Sequence, residues 1–127
     1  MQEPLLFEYA VVRVVPHVER EEFINVGIVL LCSARKYLGS TFHVDEKKLK
    51  ALCEEFDIDE LRDYIDSFNR ICGGGAQGGA IGLLPPHERF RWLTAARSTV
   101  LQTSKVHPGL CHDPAEMLSH LHSQLVL

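Results

Sequence analysis

Two apolar runs near the amino terminus constrain the fold of this chain more than any other feature. Residues 9–16 (YAVVRVVP) and 23–32 (FINVGIVLLC) are rich in β-branched side chains, and a polar segment, residues 17–22, separates them. This pattern is typical of two antiparallel strands joined by a loop. It predicts the central β-hairpin of a small sheet.

Arg13 places a charge in the middle of the first apolar run. Because side chains alternate along a strand, Arg13 lies on a face that is otherwise apolar. A buried guanidinium is unfavourable unless an opposite charge or hydrogen-bond acceptors accompany it. We therefore expect an anion beside Arg13, supplied either by a carboxylate of this chain, such as Glu19 or Glu22, or by a bound ligand.

A hairpin symmetric about Glu19 makes the register of the two strands explicit. It predicts three cross-strand pairs: Arg13 with Asn25, Val11 with Gly27, and Tyr9 with Val29. Arg13 and Asn25 would then form a polar pair beside Gly27, which has no side chain and leaves room for an aromatic ring, another backbone or a ligand. Trp92 is one candidate for that ring.

The next segments predict the rest of the amino-terminal half. Residues 37–44 favour a third, antiparallel strand and therefore a three-stranded meander. Asp45 is the expected N-cap of a helix with Leu49, Leu52 and Phe56 on its apolar stripe. A second amphipathic helix spans residues 59–72, and the two helices would cover one face of the sheet.

The carboxy-terminal half is less regular. Residues 89–94 favour a strand, although the preceding prolines are also compatible with the start of a helix, and residues 99–104 predict another strand that would complete a second hairpin. Residues 107–112 are interpreted as a loop. Asp113 as N-cap, Pro114 at the first position and Glu116 at the third predict a final helix that docks on the sheet.

Together these elements predict a single α+β domain over residues 1–127. Its core would be an antiparallel sheet of about five strands, with two central helices and a C-terminal helix packed on it. The glycine-rich segment 73–82 is predicted to be a flexible loop. Gly73, Gly75 and Gly78 match G-x-G-x-x-G, but the run follows a helix instead of a strand, so we do not interpret it as a dinucleotide site.

Composition excludes several classes of function. The net charge of −4 differs from the strongly basic charge that is typical of nucleic-acid-binding domains. No run reaches the roughly 18 apolar residues of a membrane helix, and residues 1–4 lack signal-peptide features, so we expect a cytoplasmic protein. In that compartment the four cysteines are expected to be free thiols: Cys32, Cys53, Cys72 and Cys111.

The sequence contains no complete metal or cofactor motif, and we expect neither group. His107, Cys111 and His112 form the densest set of metal-ligand types, with Asp113 beside them. Zinc sites usually combine two separated ligand pairs, and no second pair with suitable spacing occurs here. These residues are therefore only weak candidates for metal binding.

Arginines supply the main candidate for a binding site. Arg13, Arg89, Arg91 and Arg97 would converge if the two hairpins were neighbours in one sheet, and guanidinium groups suit a phosphate or carboxylate. The alternative is that they pair with the many acidic residues of the chain. The predicted binding residues are Arg13, Asn25, Gly27, Arg91, Trp92, Arg97 and Ser98.

Three hypotheses on function remain open. The leading one is a non-enzymatic binding or regulatory module that recognises a protein partner. The second is a small hydrolase or phosphotransfer enzyme acting on an anionic substrate, with His107 as acid or base. Its candidate catalytic residues are Arg13, Glu22, Asn25, Arg97 and His107.

The third hypothesis is nucleic-acid binding. Arg89, Arg91, Arg97 and Lys105 would contact phosphates and Trp92 would stack on a base. The acidic balance of the chain disfavours this reading.

Several motifs resemble one bacterial family. The pattern R-x-x-P-x-x-x-x-x-E-x-x-N-x-G comprises Arg13, Pro16, Glu22, Asn25 and Gly27. A later R-S-T comprises residues 97–99, and the segments RFRWLT (89–94) and HPG (107–109) accompany it. Over nearly the whole chain these features resemble DUF3037, a family of unknown function.

The resemblance implies no established activity. It suggests a partner subunit, for which a HipA-like kinase encoded nearby is the candidate. The sequence itself leaves a homo-oligomer open. The glycine-rich run would be a variable insertion relative to the family pattern.

Overall fold

A single antiparallel sheet organises the chain in the computed structural model, which describes residues 3–127. Its strands are β1 (Leu5–Val14), β2 (Ile24–Cys32), β3 (Tyr37–Phe42), β4 (Leu101–Thr103) and β5 (His107–Cys111). The order β3-β2-β1 confirms the meander, and β4 and β5 both pair with β1 on its other side. The α+β prediction with a sheet of five strands is therefore confirmed.

Helices cover both faces of this sheet. They are α1 (Glu46–Leu52), α2 (Ile58–Gly73), α3 (Gly79–Gly82), α4 (Pro86–Leu93) and α5 (Pro114–Leu125). Ala10, Val12 and Val14 of β1 pack with α1, α2 and α4, whereas Phe7 and Val11 pack with α5. Residues 26–32 of β2 are all buried, which explains why the central strands are apolar on both faces.

The caps that the sequence predicts are present. The Asp45 carboxylate accepts a hydrogen bond from the backbone N–H of Lys48 at the start of α1. The Asp113 carboxylate accepts from Ala115 and Glu116 at the start of α5. Each cap satisfies backbone donors that have no partner within the helix, which fixes where the helix begins.

A β-bulge changes the predicted register between β1 and β2. Arg13 lies opposite Asn25, as predicted, but beyond that point Val26 is an extra residue in β2. The other two predicted pairs are therefore wrong by one residue: Val12 lies opposite Gly27, and Tyr9 lies opposite Leu30. The ring beside Gly27 belongs to Phe42 of β3, not to Trp92.

The predicted strand over residues 89–94 is wrong. These residues belong to α4, which begins after Pro85 with Pro86 at its first position. Proline fixes φ near the helical value and needs no hydrogen-bond partner there. Phe90 and Leu93, three residues apart, are buried on one side of the helix, which is the spacing that helix packing requires.

The second hairpin is also absent from residues 3–127. Residues 107–112 were predicted as a loop, but the first five of them form β5, which follows β4 along the same side of β1. β1 has ten residues and is long enough to pair with both short strands end to end. Pairing satisfies backbone groups of β1 that a loop would leave exposed to competition from water.

Ser104 joins β4 to β5 at an irregular point of the ladder. Its backbone N–H donates to the carbonyl of Val11 at 2.8 Å, and its Oγ accepts from the N–H of Val11, also at 2.8 Å. The hydroxyl oxygen therefore takes the place of a carbonyl in the ladder. The side chain is buried, so water does not easily replace it.

We expect Ser104→Ala to lower the free energy of unfolding by about 2 kcal/mol, because the buried N–H of Val11 then loses its acceptor. Urea denaturation of the wild-type protein and the variant measures the difference. Ser119→Ala, on an exposed position of α5, is the control and should change stability by less than about 0.5 kcal/mol. Equal midpoints for all three proteins would contradict the role of the hydroxyl.

The glycine-rich segment has more structure than predicted. Residues 76–78 form a 3-10 turn that continues into α3, and the N–H of Gly75 donates to the carbonyl of Gly82 at 2.7 Å. A Cβ atom on Gly82 would collide with the carbonyl oxygen of Gly75, so this contact requires glycine. Its flexibility stays a prediction.

Two further findings concern the described part of the chain. The four cysteines, Cys32, Cys53, Cys72 and Cys111, are free thiols, as predicted. No helix within residues 3–127 has the length and apolarity needed to cross a membrane.

Candidate functional site

The predicted site residues lie in several separate places. Arg13 and Asn25 face each other across β1 and β2, on the side of the sheet that carries α5. Trp92 and Arg97 line a cleft on the opposite side, next to α2. His107 is in β5, opposite Tyr9 in the middle of β1, and its ring lies 5.4 Å from that of Tyr9.

The remaining predicted residues do not join either group. Glu22 forms an ion pair with Arg20 in the loop between β1 and β2. Arg91 lines a separate cavity that Glu8 and His87 also line, and Ser98 is exposed before β4. The arrangement does not bring the candidate catalytic residues around one substrate.

Arg13 has no carboxylate within 4.0 Å among residues 3–127. Its guanidinium lies over the ring of Phe23, 4.1 Å from the ring centre. Its Nε atom is buried without a hydrogen-bond partner, and the same is true of Oδ1 of Asn25. The expected counter-anion is therefore not supplied by Glu19 or Glu22, and an aromatic face takes its place.

Asn25 also ties the sheet to the end of α5. Its Nδ2 donates to the backbone carbonyl of Leu125 at 3.1 Å. The carbonyls of the last helical turn have no partner within the helix, so this bond satisfies one of them. Asn25 therefore has a structural role that its sequence position did not reveal.

We expect Arg13→Met to raise the free energy of unfolding by about 1 kcal/mol. The change removes an unsatisfied buried donor, whose penalty of about 1–3 kcal/mol exceeds the lost contact with Phe23. Chemical denaturation measures the difference. A loss of several kcal/mol would show instead that an internal anion pairs with Arg13.

The second group of residues borders an apolar cleft of about 310 Å³ between α2, α4 and β4. α2 contributes Tyr64, Phe68 and Ile71, and α4 contributes Trp92 and Leu93. Trp92 is 46% exposed, although tryptophan side chains are usually well covered. The volume lies at the lower end of the range for ligand sites in proteins.

Arg97 places a positive charge at the border of this cleft. Its guanidinium donates to the backbone carbonyls of Leu93 and Trp92 at the end of α4, and it lies 5.3 Å from the centre of the Trp92 ring. A cation is favourable at the carboxyl end of a helix. No carboxylate within residues 3–127 lies within 4.0 Å of it.

Arg89 has a different role. Its guanidinium donates to the carbonyls of Ile71 and Cys72 at the end of α2, and to that of Leu84. These bonds hold α4 against the end of α2. Arg89 therefore stabilises the packing of two helices, and its donors are not directed at a ligand. The predicted convergence of four arginines is therefore wrong, because Arg13, Arg89, Arg91 and Arg97 each have different surroundings.

The metal candidates also lie apart. Within the part of the chain that the structure describes, no three histidine, cysteine, aspartate or glutamate side chains are placed to hold a metal ion. Cys111 is packed in the core beneath α5, and burial raises the pKa of its thiol. A raised pKa disfavours the thiolate that binds metals or attacks a substrate.

Comparison with known proteins gives one match. The family model described as "Protein of unknown function (DUF3037)" matches residues 9–126. The chain belongs to the DUF3037 family. No curated protein and no solved structure gives a significant match to it. In this DUF3037 protein the matched range contains both the Arg13–Asn25 pair and the cleft.

Sequence reasoning predicted Trp92 and Arg97 of this DUF3037 site but missed the contribution of α2. A signal was present in the width of the apolar stripe. Leu61, Ile65, Phe68 and Cys72 form the buried face of the helix, and Ile71 packs partly against the same core. Tyr64 is exposed and extends the stripe beyond the core. Apolar residues in excess of what the core buries indicate a surface that contacts something else.

Proposed function

We propose that this DUF3037 protein is a non-enzymatic binding module that recognises a protein partner through the cleft between α2, α4 and β4. The observation that carries the proposal is the combination of partly exposed Trp92 and Tyr64 with Arg97, which has no carboxylate partner within residues 3–127, around one apolar cavity. Tryptophan, tyrosine and arginine are the residues that most often dominate binding energy at protein interfaces.

The separation of the candidate catalytic residues favours binding over catalysis. A general acid or base must lie within hydrogen-bond reach of the reacting group. His107 is in β5, opposite Tyr9, whereas Arg97 borders the cleft on the other side of the sheet from Arg13. An enzyme of the kind that we considered would need these groups around one substrate.

Nucleic-acid binding also receives less support than protein binding. Arg89 is engaged by three backbone carbonyls, which removes one of the four proposed phosphate contacts. The chain carries a net charge of −4, and phosphate contacts from few cations give weak, strongly salt-dependent binding.

The family resemblance suggests the partner to test. In a bacterial cell that partner would be a HipA-like kinase encoded nearby, and the module would act as a regulatory subunit in the cytoplasm. The cleft would take a side chain of the kinase, and Arg97 would face an acidic group on it.

We expect Arg97→Gln to weaken binding to this kinase about tenfold, because the substitution removes the charge that faces the partner. Isothermal titration calorimetry with the purified kinase measures the affinity. Arg91→Gln is the matched control: it removes the same charge from the exposed surface of α4, away from the cleft, and should leave affinity within about twofold.

The outcomes separate the two parts of the proposal. Absence of any complex with the kinase would contradict the choice of partner. A complex with the same affinity for both variants would contradict the cleft as its binding site. Trp92 is the only tryptophan in the chain, so its fluorescence reports directly whether the cleft is occupied.

A further inference from the structure

β4 is an edge strand beside the cleft. It pairs with β1 on one side, and no strand within residues 3–127 pairs with its other side. The side chains of Leu101 and Thr103 line the cleft, so the open backbone edge and the cavity adjoin each other. An open edge can accept an additional strand.

The hydrogen bonds around β4 determine which backbone groups point outward. Val15 donates to the carbonyl of Val100 at 2.7 Å, and Ser104 donates to that of Val11 at 2.8 Å. In an antiparallel ladder, bonded and non-bonded pairs alternate. Gln102 therefore exchanges bonds with Arg13, whereas the backbone N–H and C=O groups of the residues on either side point away from β1.

Most of these outward groups have no partner in the described chain. The carbonyl of Leu101 accepts from the hydroxyl of Thr99 at 2.9 Å. The N–H of Leu101 and both backbone groups of Thr103 make no hydrogen bond within residues 3–127. This edge therefore presents two donors and one acceptor with the spacing of a β-strand.

We propose that the cleft takes an extended peptide segment of the partner, which adds to β4 as a further strand. The segment inserts an apolar side chain into the 310 Å³ cavity and presents a carboxylate to Arg97. This inference rests on the proposed function, and it assigns the chemistry of the segment that is recognised.

Each part of the ligand follows from one part of the site. Main-chain bonds to Leu101 and Thr103 require an extended backbone, because a helix satisfies its own groups and cannot pair with a strand edge. The apolar walls select an apolar side chain. Arg97 selects an acidic residue, since its guanidinium has no carboxylate partner within the described chain.

Thr103→Pro tests the strand addition. Proline removes the backbone N–H that points outward and leaves the bonds of Gln102 and Ser104 to β1 in place. Thr103→Val is the matched control, because it retains the N–H and the branched shape while it removes the hydroxyl. Thermal unfolding of both variants checks that the fold persists.

The probe is a random ten-residue peptide library displayed on phage and selected against the wild-type protein. We expect enriched peptides to combine an apolar residue with a nearby glutamate or aspartate. Their affinity for Thr103→Val should be within about threefold of that for the wild-type protein. Their affinity for Thr103→Pro and for Arg97→Gln should be at least about tenfold weaker. Hydrogen exchange at the amides of Leu101 and Thr103 should slow when the peptide binds the wild-type protein.

Three results would overturn the inference: no enriched peptide, equal affinity for Thr103→Pro and Thr103→Val, or unchanged exchange at the β4 amides. The exchange measurement uses the wild-type protein, so it decides the question even if Thr103→Pro does not fold. If Arg97→Gln weakened peptide binding but Thr103→Pro did not, the result would support the proposed binding module and contradict only the addition of a strand to β4. If Arg97→Gln did not change the affinity for the kinase, that result would instead contradict the proposed function itself.

Discussion

Gly27→Ala should lower the free energy of unfolding by about 3 kcal/mol. A Cβ atom at this position would collide with the carbonyl oxygen of Thr41 and lie 2.7 Å from the ring of Phe42, both in the neighbouring strand β3. Backbone and a packed ring cannot move aside without disturbing the ladder between β2 and β3. Guanidinium denaturation of the variant measures the loss.

Gly73→Ala is the matched control for Gly27→Ala. A Cβ atom there meets nothing within 4 Å, and the residue ends α2 in a helical conformation. Alanine is the better helix former, so this change should leave stability unchanged or raise it by up to about 1 kcal/mol. Similar losses in the two variants would contradict the close approach of β3 to Gly27.

Leu61→Ala should lower the free energy of unfolding by about 3–4 kcal/mol. Leu61 has no solvent-exposed surface and packs α2 against the sheet. Truncation removes buried methyl groups and leaves a cavity that the surrounding β-sheet cannot close completely. Denaturant titration monitored by circular dichroism measures the change.

An exposed leucine provides the comparison for Leu61. Leu83 is 70% exposed after α3, so Leu83→Ala should change stability by less than about 0.5 kcal/mol. A small effect of Leu61→Ala would mean that α2 does not pack on the sheet as described. Because α2 forms one wall of the cleft, the candidate site would then also be in question.

The two faces of the sheet have different consequences for function. On the α5 face, Arg13 stacks on Phe23 with its Nε unsatisfied, although Asn25 is directly opposite. On the other face, Arg97 stacks on Trp92 beside an open cavity. Both arginines use an aromatic ring in place of a carboxylate partner within residues 3–127. Arg97 also adjoins a cavity large enough for a side chain of a partner, which is why the proposal concerns the cleft.

The segment 89–94 shows why part of the fold could not be read from the sequence. Phe90 and Trp92 alternate with arginines, which favours a strand, whereas Phe90 and Leu93 have the spacing of a helix face. The structure buries Phe90 and Leu93 and leaves Trp92 half exposed beside the cleft. Packing decided between two periodicities that a six-residue segment satisfies about equally well.

The position of β5 has a similar explanation. Its sequence, HPGLC, contains proline and glycine, which usually indicate a loop. Gly109 lies opposite Phe7, and a Cβ atom there would lie 2.6 Å from the Phe7 ring, so this glycine serves a close approach. Pro108 can be tolerated because β5 is an edge strand.

The amino-acid sequence was sufficient to predict the meander, the capped helices α1 and α5, and the pairing of Arg13 with Asn25, since these depend on local signals such as β-branched runs, N-caps and a symmetric turn. The bulge at Val26, the pairing of β4 and β5 with β1, and the cleft around Trp92 and Arg97 became visible only in the folded chain. These features depend on contacts between residues far apart in the chain. Local periodicity sets which way a side chain points along its own element, but it does not specify which distant element will pack against it.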